Sequence, residues 1–174
     1  QYSIHKCDKV EHIVDHFEYI ADHKQDCRKQ IAKKLIEILG TQGSIITYSS
    51  AEKQIIEKLA ALYPELAEQL EAITERIVDF EQILRTNYYD KRFHGRTSIK
   101  KVLPVMIPQM NYSELEIGEG DVALSAFAYM AMGLYDDEKV KETKQNLLKY
   151  CEQDTLALVE MHKFLYEASQ TINV

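Results

Sequence analysis

Cysteine is scarce in this sequence and odd in number: Cys7, Cys27 and Cys151 are the only three in 174 residues. Their wide spacing contains no C-x-x-C pair, which removes the common zinc-site and dithiol readings and favours a reducing, cytoplasmic setting. Long apolar runs are missing too. No stretch approaches the roughly 18 uninterrupted apolar residues of a membrane span, and no basic-then-apolar leader marks a signal peptide, so a soluble domain with no membrane partner is expected. Positive charge is in deficit, with 21 Lys and Arg against 28 Asp and Glu and a formal net charge of −7. That balance argues against holding nucleic acid by bulk electrostatics, because displacing counterions from phosphates usually takes a basic face. The glycine patterns of phosphate loops, nucleophile elbows and dinucleotide folds are also absent, so those chemistries lack their residues.

What is present fits one mixed α/β domain spanning residues 1–174. The chain opens at Gln1 directly into an alternating apolar stretch, as expected of an N-terminally truncated fragment of a larger protein. Tyr2 to Ile20 alternates with a period of two, which predicts two antiparallel strands joined at Cys7-Asp8-Lys9. Helical spacing follows over 26–39, with Asp26 as N-cap and Gly40 as the stop. Ser44 to Tyr48 reads as a strand that ends in the helix-starting pair Ser49-Ser50. A helix through Ile55, Ile56, Leu59 and Leu62, a second helical piece at Leu66, Leu70 and Ile73, and a strand at 76–80 complete the middle of the chain. Further on, 112–120 is turn-rich, 121–133 is helical with Asp121 as N-cap, and a long helix covers about 137–168.

Carboxylates and a phenol supply the candidate chemistry. Tyr150 and Asp154 lie four residues apart on the last helix, hence one turn apart on one face, where a carboxylate can bind a hard divalent cation and a phenol can orient water. Glu52 falls just past a strand, in the first turn of a helix. There it suits a metal-dependent phosphoryl-transfer site, and equally it stabilises the helix dipole. Asp79, at the end of an apolar strand, is a third candidate with a simpler explanation as a turn aspartate. His12 and His16 would share a strand face, but no third ligand stands at useful spacing, so zinc is set aside. One local exception to the acidic balance is Tyr88 to Lys101, where Lys91, Arg92, Arg96, Lys100 and Lys101 alternate with Tyr88, Tyr89 and Phe93. That mixture suits a rim for single-stranded nucleic acid, or else a solvated loop.

Three segments, Ser98-Ile-Lys-Lys-Val-Leu-Pro104, Tyr112-Ser-Glu-Leu-Glu-Ile-Gly118 and Lys149-Tyr-Cys-Glu-Gln-Asp-Thr-Leu-Ala-Leu-Val159, together resemble the bacterial domain of unknown function family numbered two-seven-seven-nine. That family in turn resembles the tyrosine-type DEDD 3′-5′ exonucleases. The resemblance implies a ribonuclease H-like mixed sheet flanked by helices, and it extends over nearly the whole chain. It further implies that Asp154 and Glu52 bind Mg²⁺ or Mn²⁺ while Tyr150 positions the attacking water. This sequence departs from the family's second motif at Ser49 and Ala51, where asparagine and phenylalanine are usual. The family's first motif, an aspartate and a glutamate two residues apart on the opening strand, has no counterpart. The fold would then lack its first strand, the fragment itself would be inactive, and an exposed sheet edge would invite self-association. The expected function is therefore a metal-dependent exonuclease acting on DNA or RNA. The alternative is a non-catalytic nucleic-acid- or protein-binding module derived from the same fold.

Overall fold

A computed structural model describes residues 1–110, 112 and 115–171 and shows a mixed α/β chain. The chain divides into two compact units, one formed by Gln1–Gln25 with Leu103–Val174 and the other by Asp26–Val102. Among the described residues the strands form two sheets of two strands each, where the sequence leads one to expect a single larger mixed sheet.

In the first unit, β1 (Tyr2–Lys9) pairs antiparallel with β2 (His12–Tyr19), Tyr2 opposite Tyr19, Ile4 opposite Phe17 and His5 opposite His16. The turn is at Val10-Glu11, beyond the Cys7-Asp8-Lys9 expected from the alternation, and Glu11 adopts a left-handed φ of 58°. The break in alternation at Asp8 is a bulge: the register shifts between Cys7 and Lys9, and the Asp8 carboxylate bonds the His12 ring at 2.6 Å. An extra residue in one strand interrupts the period as a turn does, yet leaves the pairing to continue.

The hairpin packs against α7 (Asp137–Thr171), a 35-residue helix roughly 50 Å long at 1.5 Å per residue. Buried Leu147 of α7 joins Ile117 and the inner face of α6 (Gly120–Ala131), namely Ala123, Ala126 and Met130. Small residues on α6 permit close helix approach, and the half-buried rings of Phe127, Tyr135 and Tyr150 fill the margins. Asp121 sits in the first turn of α6; the N-cap position belongs to Glu119, so the sequence-based cap falls two residues late.

The second unit alternates strand and helix. After α1 (Arg28–Leu39), β3 (Ile45–Thr47) leads through α2 (Ala51–Leu62), a 3-10 turn at Pro64–Leu66 and α3 (Ala67–Thr74) into β4 (Ile77–Asp79). β4 lies parallel to β3, with Thr47 opposite Asp79. Ala32, Ile56, Leu59, Ala60, Leu70 and Ile73 form its core, the inward stripes of three helices spaced three and four residues apart. Cys27, not Asp26, occupies the N-cap position of α1; the Asp26 carboxylate instead accepts from the Arg28 backbone N–H at 3.0 Å and clasps its guanidinium. β4 passes directly into α4 (Phe80–Thr86), followed by a 3-10 turn at Lys91–Phe93 and α5 (Ile99–Met106), within which the division between the units falls.

Candidate functional site

Helix α7 carries the first candidate site. One turn apart on it, Tyr150 and Asp154 interact through their side chains, and the Tyr150 hydroxyl is pushed well above its usual pKa. Burial is the main cause, followed by the charge and hydrogen bond of Asp154. A phenol so held keeps its proton at neutral pH and acts as a donor. A second phenol completes the group: Tyr112 donates to Asp154 Oδ1 at 2.7 Å, and its ring tilts against Tyr150 at 6.2 Å between centroids. Nothing in the local sequence points to Tyr112, which stands in the turn-rich segment 42 residues from its acceptor.

Glu52 belongs to the second unit, exposed in the first turn of α2 just past the carboxyl end of β3. The residues departing from the family pattern surround it. Ser49 takes a left-handed φ of 81°, a conformation that asparagine tolerates better than serine, and its backbone N–H donates to Asp79 Oδ1 at 3.0 Å. Asp79 is accounted for by that bond together with the Gln82 N–H at 3.2 Å. It caps α4 and ties the carboxyl ends of the two parallel strands together.

The basic segment also lies in the second unit. Lys91, Arg92, Arg96, Lys100 and Lys101 are all exposed, whereas Phe93 is buried between the rings of Tyr88 and Tyr89 and is thereby removed from any stacking role. Asp90 holds the Arg92 guanidinium in a two-point fork, Nε at 2.9 Å and Nη2 at 2.6 Å, and neutralises part of the rim. Tyr89, 70 % exposed, remains able to stack on a base.

A second cluster in the first unit escaped sequence reasoning. His5 and His16 stack across the hairpin at 4.3 Å between ring centroids, and with Glu152 of α7 each offers a ligand atom within 4.8 Å of the others. Ser3 Oγ meets His16 Nε2 at 2.9 Å and Thr155 Oγ1 at 2.8 Å, while His5 Nδ1 meets Thr155 Oγ1 at 2.9 Å. Burial, then the neighbouring His16, lowers the His5 pKa, with Glu152 opposing. The signal that could have found this pair is the register itself, since placing Tyr2 opposite Tyr19 puts His5 opposite His16.

Residues 1–98 match the family described as Domain of unknown function (DUF2779). The chain belongs to that family. The matched part includes Glu52 and the hairpin histidines and stops short of Tyr150 and Asp154. An uncharacterized protein, the MG366 homolog of Mycoplasma pneumoniae, is 28 % identical over 151 residues, covering 79 % of this chain. The chain spans only 23 % of that relative's length. No solved structure matches. No helix among the described residues is long and apolar enough to cross a membrane.

Proposed function

We propose that the protein to which this chain belongs is a metal-dependent 3′-5′ exonuclease of ribonuclease H-like fold, cleaving phosphodiester bonds of DNA or RNA in a reducing cytoplasm. The observation that carries this reading is the Tyr150–Asp154 pair, a proton-retaining phenol one helical turn from a carboxylate. Asp154 and Glu52 are oxygen donors of the hard type that Mg²⁺ and Mn²⁺ prefer. Each is a carboxylate of the kind that such an enzyme uses, Asp154 in the first unit and Glu52 in the second. When bound, the cation would offset the charge that develops on the phosphate during displacement. Within the chain itself, Tyr150 directs water towards the phosphorus, Asp154 fixes the phenol's orientation, and the exposed Lys91, Arg96, Lys100 and Lys101 attract the strand's backbone. Sheet edges left open in the hairpin favour self-association.

A second reading, a binding module without catalysis, draws support from the Tyr112 hydroxyl already occupying Asp154 Oδ1 and from Ser49 and Ala51 in the motif around Glu52. Hydrolysis of a 3′-labelled single strand by the intact protein separates the two. Release of mononucleotides that needs Mn²⁺ and falls by at least about a hundredfold in Asp154→Asn supports the enzyme. Equal background release by both proteins, with retained strand binding, leaves the module.

A further inference from the structure

Two hydroxyls, one on the hairpin and one on α7, hold the stacked histidines. Thr155 Oγ1 donates to main-chain carbonyls of its own helix, Cys151 O at 3.3 Å and Glu152 O at 3.2 Å, and a carbonyl can only accept. Thr155 Oγ1 also pairs with Ser3 Oγ and with His5 Nδ1. Ser3 Oγ pairs in turn with His16 Nε2. Each ring is thus bonded through one nitrogen, His5 through Nδ1 and His16 through Nε2, and the other nitrogen of each, His5 Nε2 and His16 Nδ1, is not engaged by these hydroxyls. Two rings stacked at 4.3 Å, with a carboxylate beside them, bring two imidazoles and one carboxylate to one place.

We infer that His5, His16 and Glu152 form a binding site for a borderline divalent transition ion of the Zn²⁺ kind. Two imidazole nitrogens and one carboxylate oxygen suit that class, whereas Mg²⁺ prefers oxygen alone. Ligand atoms around tetrahedral zinc stand about 3.3 Å apart, given bonds near 2.0 Å. The observed separations lie within 4.8 Å and close by rotation of the exposed Glu152 side chain together with small rotations of the two rings. Ser3 and Thr155 do for the two rings what outer partners do at metal sites, holding each imidazole through its other nitrogen. Three protein ligands leave a fourth position facing solvent on the Glu152 side, an arrangement open to water or an anionic ligand. This site is separate from Tyr150 and Asp154 and does not depend on the exonuclease reading.

Titration of the intact protein with Zn²⁺ against a chromophoric chelator, repeated with Co²⁺ to read visible d–d absorption, tests it. One equivalent should bind, with tetrahedral cobalt bands. His5→Gln and His16→Gln should each weaken binding by at least about tenfold, as should Glu152→Gln, whose exposed position spares the fold. His12→Gln should bind as the parent does. Should either histidine variant lose its circular dichroism, Glu152→Gln decides alone. Binding that survives Glu152→Gln, binding that disappears in His12→Gln, or no stoichiometric binding at all would overturn the inference.

Discussion

The Tyr112 hydroxyl reaches across 42 residues of sequence to donate to Asp154 at 2.7 Å, beside the Tyr150 ring. A bond from a neutral donor to an ionised acceptor contributes about 1.5–3 kcal/mol. A double-mutant cycle of Tyr112→Phe and Asp154→Ala, read by urea unfolding, should therefore show coupling of about 1–3 kcal/mol. Additive losses would mean that the two side chains do not depend on one another.

The Asp90–Arg92 fork bears on both acid stability and nucleic-acid affinity. Hydrogen bonds from Arg92 are the main reason that the Asp90 carboxyl falls to about 2 from its ordinary 3.8. A folded-state value below the unfolded one gives stabilisation that is complete above pH 3.8 and lost as pH falls through about 2. Asp90→Asn should flatten the stability profile in that window. It should also release Arg92, raising affinity for a single-stranded oligonucleotide several-fold at low salt and steepening the salt dependence. Unchanged affinity removes Arg92 from any binding rim.

Arg76 secures the end of α1 and the turn after it. Its Nη1 donates to Gln42 O at 2.6 Å and Gly43 O at 3.0 Å, and its Nη2 to Gly40 O at 2.7 Å and Leu39 O at 3.2 Å. Arg76→Ala should cost about 1.5–3 kcal/mol in thermal or denaturant unfolding, the range for bonds from a charged donor. Arg76→Lys should recover only a small part, because an ammonium cannot reproduce the planar fork. Full recovery by lysine would show that charge alone matters.

Local periodicity made much of the fold legible. The helices at 28–39, 51–62, 67–74, 120–131 and 137–171 and the strands at 45–47 and 77–79 all lie where spacing and breakers place them. α4 was hidden because it begins at the last strand residue's neighbour and shows only Phe80 and Leu84 as buried positions. α5 was hidden by Pro104 within it. Tyr150 and Asp154 could be paired from sequence because four residues on a helix fix their relation. Tyr112 and the His5, His16 and Glu152 group depend on register and on which helix meets the hairpin. Misplacing the turn by a few residues shifts the cross-strand partner of His5 and dissolves the cluster. The segment 112–120 was expected to be turn-rich, and part of it, at 113 and 114, lies outside the described residues.

The first unit takes its hairpin from one end of the sequence and its covering helix from the other; Ser3 bonds Thr155, 152 positions further on. β1 and β2 are therefore synthesised well before the helix that covers them. At ribosomal speeds of roughly 5–20 residues per second, the hairpin waits on the order of ten seconds or more for α7. An isolated two-stranded hairpin is marginal in water, and its uncovered edges are templates for pairing with other chains. Interrupting synthesis before α7 emerges would leave that surface open, so the newborn chain depends on timely completion, or on a chaperone, more than its size suggests.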